Sequence, residues 1–279
     1  MPVTTVEETT AVAPRQLIVT LYGLYARAAG GRLSVAALVR LMAGLGVDEP
    51  AVRSSISRLK RRGLLVPERH DGAAGYVLSA AAHQILADGD ARIFGRRRAT
   101  PADGWVLAVF SVPESERERR HTLRTQLVRL GFGTVAPGVW VAPGHLADEA
   151  AEVLSRLGLA GYVELFRGEH LAFGDPAACV RSWWDLDELR ALYAAFLERQ
   201  TPVRTRWSRR RTSAPEAAFV DHVRLVTDWR QLPYADPGLP LDLLPPRWNG
   251  VRAAELFASL EQRLAGPAGE HARALIVGP

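Results

Sequence analysis

Apolar positions in the first eighty residues fall into helical blocks punctuated by glycine. In PRQLIVTLYGLYARAAGG, Leu17, Leu21, Leu24 and Ala28 share one helix face, and Gly30–Gly31 stop the helix. A second helix opens at Ser34, an N-cap flanked by a staple of Leu33 and Leu38, and its stripe continues through Leu41. After GLG at 44–46, Asp48 caps a third helix, its charge suited to the positive end of the helix dipole, and Val47 and Val52 repeat the staple. Two helices joined by so short a glycine turn predict a helix-turn-helix. LLVPERHDGAAGYVLS then supplies extended runs at 64–69 and 75–78 linked by HDGAAG, a hairpin wing with Arg69 and His70 near its tip. A fourth helix, SAAAHQILADGDARIFG, leads into GRRRATPADG (95–104), a linker marking a domain boundary. Its Arg96–Arg98 run is either solvated or an extra set of phosphate contacts.

The pattern then changes period. WVLAVFSV (105–112) is a near-continuous apolar run, as a buried strand requires, and Leu123, Leu127 and Leu130 mark a following helix. FGTVAPGVWVAPG reads as a hairpin around Pro137–Gly138, and a helix in LADEAAEVLSRLG and a strand in YVELFRG complete β-α-β-β-α-β, the ferredoxin-like plait. Beyond it, DPAACVRSWWDLDELRALYAAFLERQ is helical, with Asp185 and Glu188 at capping-box spacing before the stripe Leu189, Leu192, Tyr193, Phe196. A basic run, RTRWSRRR (204–211), is expected in a loop, and a last helix in VRAAELFASLEQRLAG. Residues 232–250, rich in Pro, Leu and Trp, are too rigid and apolar for a disordered linker and are expected to wrap a core or a partner. The chain thus reads as α+β. A disordered tail (1–14) precedes a winged helix-turn-helix domain (15–95), a ferredoxin-like domain (105–174) and a mainly helical C-terminal domain (175–279).

Charge sharpens the N-terminal reading. The formal charge is +5 and all basic residues but Lys60 are Arg, a bias that base composition can produce unaided. From Arg15 to Arg98, however, 14 Arg and Lys stand against 6 Asp and Glu, so the basic excess belongs to this segment. On the third helix Val52, Ile56 and Leu59 form the core stripe, while Arg53, Ser57 and Arg61, with Ser54 and Arg58 beside them, fill a face expected to carry no acid. A merely solvated helix mixes signs, because opposite charges at i,i+4 stabilise it and like charges do not. Arg forks onto guanine edges or phosphate and Ser contacts either. Arg53, Ser54, Ser57 and Arg58 are therefore the candidates for base edges and nearby phosphates, and Lys60, Arg61, Arg62 and Arg69 for phosphates. The competing reading is a winged helix that serves as a protein-contact module.

Other chemistry is sparse. The seven histidines show no HxxxH or HExxH spacing, no GxSxG elbow or P-loop is present, and the single Cys179, inside a helical pattern, is expected to be a small buried thiol. No enzyme activity, catalytic residue, metal or cofactor is expected. One cysteine excludes an internal disulfide and fits a reducing cytosol, and the acidic, Thr-rich start lacks the features of a signal peptide. No apolar run approaches the roughly 18 residues of a membrane span.

Three stretches, RQLIVTLYGLYAR, VRSSISRLKRRGLL and DPGLPLDLLPPRWNG, resemble the PaaX family of repressors of phenylacetic-acid catabolism genes, and the likeness spans about residues 14–265. The resemblance implies a cytoplasmic, homodimeric repressor that binds double-stranded DNA and is released by an aryl- or acyl-CoA thioester, typically phenylacetyl-CoA; the two-fold symmetry of such a dimer predicts a palindromic operator. Such a thioester needs Arg for its phosphates and an aromatic slot for its acyl group. Arg181, Trp183 and Trp184 supply both types, and Arg204, Arg206 and Trp207 form a second such group; the competing reading is that these tryptophans pack the core. Trp229 and Trp248 are assigned to the core. The middle domain of this family also looks like the small ferredoxin-like nuclease of CRISPR systems, which holds a metal through an Asp ending its first strand. Ser111 stands at that position here, and Asp103 precedes the strand. A hydroxyl does not replace a carboxylate for a hard cation. The alternatives to a DNA-binding regulator are thus a metal-dependent nuclease on the plait and an acyl-CoA sensor acting through a protein partner.

Overall fold

A computed structural model describes residues 12–278 except Ala28, Ala29, Asp71, Arg96 and Ala172. The expected N-terminal tail up to residue 11, and the roles given to Ala28 and Arg96, lie outside the described residues. The chain forms two compact units. The first takes the chain up to Gly89 with Pro202–Asp228 and everything from Phe257; the second takes Asp90–Thr201 with Trp229–Leu256.

In the first unit, helix α1 (Pro14–Leu21) begins on proline, whose missing N–H costs nothing at a helix start. It continues as a π turn over Tyr22–Ala26. That wider turn moves the inward positions to Tyr25 and Ala26, so Leu24, expected in the stripe, is only half-buried. A short strand β1 (Arg32–Ser34) leads to α2 (Val35–Gly44), where the Ser34 hydroxyl accepts from Ala37 N at 3.0 Å and Leu33, Leu38 and Leu41 are buried. Next come α3 (Glu49–Arg61), β2 (Leu65–His70), β3 (Ala73–Leu78) and α4 (Ala80–Phe94). The strands make one antiparallel sheet in the order β1-β3-β2.

C-terminal helices complete this unit. Helix α8 (Leu186–Arg209) does not end at Pro202, so residues 204–209, expected in a loop, are helical. The physical reason is Trp207, which the helix turns inward and which is buried. After α9 (Pro215–Trp229), helix α11 (Asn249–Val277) likewise continues beyond Gly266 and Pro267, because its inward stripe of Leu260, Leu264, Ala268 and Ala272 does not stop there. Buried polar groups fix these helices to the N-terminal ones. Thr20 and Thr227 hydroxyls meet at 2.8 Å, Tyr25 Oη lies 2.8 Å from His222 Nδ1, and His222 Nε2 lies 2.6 Å from Glu261 Oε2. Arg40 donates to the Leu275 carbonyl at 2.8 Å.

The second unit holds β4 (Trp105–Phe110), α5 (Arg117–Leu130), β5 (Gly133–Ala136), β6 (Val139–Pro143), α6 (Ala147–Arg156) and β7 (Val163–Gly168). The sheet order β5-β6-β4-β7, antiparallel throughout, is the ferredoxin-like plait. Val106, Ala108, Leu123, Leu127, Ala150 and Leu154 fill the space between sheet and helices. Helix α7 (Pro176–Trp183) is capped by Asp175, and Cys179 on it is half-buried, not buried as expected. Asp185 accepts from Glu188 N at 2.8 Å to start α8, whose inward residues are Leu186, Leu189, Tyr193 and Phe196. Leu192 flanks that stripe and is 40% exposed, a departure from the expected pattern.

The Pro-rich stretch wraps this unit's core. It includes the short helix α10 (Leu232–Ala235), and Leu239, Leu244 and Trp248 are buried. Asp236 organises it, accepting from Tyr193 Oη at 2.8 Å and from Gly238 N at 2.7 Å, while Arg98 donates to the Leu239 carbonyl at 2.8 Å. Arg98 therefore serves structure.

Tyr25→Phe leaves His222 without its hydroxyl partner in a buried site, and loss of such a partner costs about 1–3 kcal/mol. Urea unfolding of the variant is expected to show a midpoint lowered accordingly, with far-UV circular dichroism of the native state unchanged.

Candidate nucleic-acid interface

Helix α3 is pinned before it is displayed. Asp48 accepts from Ala51 N at 2.8 Å, and Val52, Ser55, Ile56 and Leu59 are buried against the unit. Arg53, Ser54, Ser57, Arg58, Lys60 and Arg61, with Arg62 at the C-cap, are all exposed. The face differs from the sequence expectation in one respect: Glu49 sits one turn before Arg53 and pairs with it at 2.5 Å. Arg53 is thus partly neutralised, whereas Arg58, Lys60, Arg61 and Arg62 meet no carboxylate among the described residues. The uncompensated charge gathers toward the C-terminal half of the helix.

The wing is tighter than the HDGAAG link implied. Pairing extends to His70 opposite Ala73, so the chain reverses within two residues, with Gly72 in the left-handed region at φ 77°. Asp71 lies outside the described residues. Arg69 is exposed near the tip. Sequence reasoning missed Arg32, which donates to the Ala73 carbonyl at 2.6 Å and lies 3.5 Å from Glu68. It holds the two wing strands in place from β1, and a lone Arg in a three-residue strand gives no sequence signal. Gly75 permits this approach, since a side chain there would meet the Leu33 carbonyl at 2.7 Å.

The residues named for a CoA thioester divide between the units. Arg181 pairs with Asp175 at 3.1 Å, and half-buried Trp183 and Trp184 pack on Trp105 with ring centroids 5.8 and 6.1 Å away. These lie in the second unit; Arg204, Arg206 and Trp207 lie in the first. There Arg206 grips both oxygens of Asp221 at 2.7 Å and the Trp207 indole donates to the same carboxylate at 2.6 Å, leaving Arg204 exposed. Trp229 and Trp248 are buried, as core residues.

The two residues weighed for metal chemistry are differently engaged. Ser111 donates its backbone N–H to the Tyr162 carbonyl at 3.1 Å, and it lines a groove with Arg120 and Arg124, whose charge repels a divalent cation. The Asp103 carboxylate caps a short turn, accepting from Thr100 N and Oγ1 at 2.8 Å and from Arg97 at 2.5 Å. The Thr100 bonds, then Arg97, hold this carboxyl down at about 2.

Family models cover most of the chain: PaaX-like protein at residues 13–82, PaaX protein central Cas2-like domain at 98–180 and PaaX-like protein C-terminal domain at 184–274. The transcriptional repressor PaaX of Escherichia coli (strain K12) is 31% identical over 263 residues, which are 91% of this chain and 81% of that protein. The chain belongs to the PaaX family. In PaaX terms, α3 and the wing fall in the first of the three matched regions and the plait in the Cas2-like one. The uncharacterized protein Rv0674 from Mycobacterium tuberculosis shares the fold, with a TM-score of 0.59 at 21% identity over 94% of this chain and 99% of that one.

The Asp103 cap gives this PaaX-family chain a defined acid response. A carboxyl held below its unfolded value stabilises the fold above the unfolded pKa, near 4, and loses that contribution as pH falls through about 2. Asp103→Asn is expected to melt below the parent at pH 6–7, and the gap between their melting temperatures should close progressively between about pH 4 and pH 2.

Proposed function

We propose that this chain is a sequence-specific DNA-binding transcriptional repressor that acts as a homodimer. The observation carrying this reading is the outward face of α3, where Ser54, Ser57, Arg58, Lys60, Arg61 and Arg62 stand exposed beside a hairpin braced by Arg32. A capped helix bearing Ser and unpaired Arg suits the major groove, where Arg58 and the two serines reach base edges and Lys60, Arg61, Arg62 and wing Arg69 take phosphates. Arg53, tethered to Glu49, is assigned to a phosphate or base contact that forms when this exchangeable surface pair opens. The name of the Escherichia coli relative, a transcriptional repressor, supports the same role. No helix among the described residues is long and apolar enough to cross a membrane; the cytoplasmic site of action proposed for the chain follows from its DNA partner.

A two-fold dimer calls for a palindromic operator with half-sites one or two helical turns apart. An aryl- or acyl-CoA thioester is the proposed releasing ligand, with Trp183 and Trp184 and the neighbouring Arg181 as its candidate contacts, or Arg204, Arg206 and Trp207. It acts by binding the DNA-free arrangement more tightly than the DNA-bound one.

Fluorescence anisotropy against the chain's own upstream DNA and a scrambled duplex, at two salt concentrations, tests the reading. Binding to the upstream DNA at least ~10³-fold tighter than to the scrambled duplex, and weakening with salt, is expected. Equal weak binding to both duplexes overturns it. Arg58→Ala is expected to cost about 1–3 kcal/mol and relax preference at one base position; an equal loss on both duplexes reassigns Arg58 to a phosphate.

A further inference from the structure

The end of α8 carries a basic cluster that neither the outward face of α3 nor the wing uses. Arg206 and Trp207 are engaged with the Asp221 carboxylate of α9 and make a fixed base. Arg210, just past the helix, lays its guanidinium over the buried Trp207 ring, 5.1 Å from the centroid, and its backbone N–H donates to the Trp207 carbonyl at 3.2 Å. The Arg210 carbonyl in turn accepts from Arg263 of α11 at 3.1 Å. These bonds fix the backbone at 210, so Arg209 and Arg211 on either side leave the surface from a set position. Both are exposed, as is Arg263 beside them.

No carboxylate answers this charge among the described residues. Asp221 is held by Arg206 and Trp207, Glu261 is bonded to His222, and Glu216 in the first turn of α9 forms no ion pair with any of the three arginines. A cation in the last turn is what the negative end of a helix favours, and Arg209 fits that use. Arg211 lies beyond the helix and Arg263 belongs to another one, so the dipole explains neither. What remains is a group of unpaired guanidinium forks, the donors best matched to phosphate oxygens.

The cluster belongs to the same compact unit as α3, and α9 lies between them. On one flank of α9, a side chain at Gly44 would meet the Phe219 ring at 3.6 Å, and Arg224 donates to the Leu45 carbonyl at 3.4 Å. Gly44 and Leu45 open the turn that leads into α3. Asp221, two positions after Phe219 and so about 200° round the helix, holds the end of α8 on the other flank. About one helix thickness, ~10 Å, therefore separates the end of α8 from the approach to α3. A turn of DNA is ~34 Å long, so a duplex held by α3 extends past a cluster this near before completing one turn.

We propose that Arg209, Arg211 and Arg263 form a second DNA contact, taking phosphates that flank the segment entered by α3 and adding affinity without sequence preference. The operator in this proposal rests on the repressor reading above; the contact itself is made to any duplex.

Fluorescence anisotropy of the full chain on the upstream DNA and on the scrambled duplex, across a salt series, tests it. Arg209→Gln/Arg211→Gln should weaken binding to both duplexes by the same factor, at least ~10-fold near 0.1 M salt, and lower the slope of log affinity against log salt by about 2. Its melting temperature and its preference for the upstream DNA should match the parent. Arg190→Gln/Arg252→Gln, an exposed pair in the second unit with the same loss of charge, should leave affinity within about twofold. Hydroxyl-radical footprinting should show flanking backbone protected by the parent and open in the Arg209→Gln/Arg211→Gln variant. An unchanged affinity and salt slope, a loss confined to the upstream DNA, or an equal loss in the control pair each overturns the proposal. Absence of any preference for the upstream DNA in the parent overturns the repressor reading alone, since the scrambled duplex still reports whether the cluster holds phosphate.

Discussion

His222 is satisfied from two sides at once, and that double demand ties the first unit together. A carboxylate only accepts, so Glu261 requires the proton on Nε2, and in the neutral ring Nδ1 is then left to accept from Tyr25 Oη. Burial first, and the Glu261 charge second, push the Tyr25 phenol far above its ordinary value, so it remains a donor. The three groups come from the π turn after α1, from α9 and from α11, with Tyr25 lying 197 positions before His222 and Glu261 39 positions after it. In a buried site such a chain is cooperative and exacting: with every member bonded it fixes one packing, and with one member missing the others are stranded. The adjoining Thr20–Thr227 contact adds a second point of registration between α1 and α9. Helix α3 packs on α1 and α2, so its outward face is aimed by groups far away in sequence.

The second unit uses a different device for the same end. Asp236, its side chain 1% exposed, faces Tyr193 and the Gly238 amide, with Arg98 3.5 Å away. A buried carboxylate without such partners is costly, and here the partners include the segment that enters the plait and the helix that follows it. This explains why the stretch from 232 to 250 holds an ordered path with little regular secondary structure. Its prolines remove backbone donors, and Asp236, Arg98 and the buried Leu239 and Trp248 supply fixed points instead.

Local chemistry was the legible part. Ser34 and Asp48 cap the helices they were expected to cap, and Leu123, Leu127 and Leu130 share a buried face. The β-α-β-β-α-β alternation gives the observed plait, since each signal acts within a few residues of its cause. What resisted reading depends on partners distant in sequence. Pro202 and the Gly266–Pro267 pair look like helix ends, yet buried Trp207, Ala268 and Ala272 draw the helices onward. A π turn displaced Leu24 from the core for a reason that periodicity at 3.6 residues does not contain. At the interface, the face expected to carry no acid is met by Glu49, which lies four residues before Arg53 and so reaches it across one helical turn. Arg32 offered no pattern at all.

Charge placement finally separates the positive faces of α3 and α5. On α3 the cations stand on a convex, capped helix with serines between them and no apolar wall, a shape that meets an extended polyanion by entering its groove. On α5 the cations share a concavity with Phe110, Val135 and Pro137, and Glu114 offsets the charge of Arg117 and Arg120 there. Operator binding of the kind proposed for the first surface gains affinity through counterion release and would be steeply salt-dependent. For the proposed thioester to control DNA occupancy, its affinity must differ between the two states of the chain by the factor through which it changes operator binding.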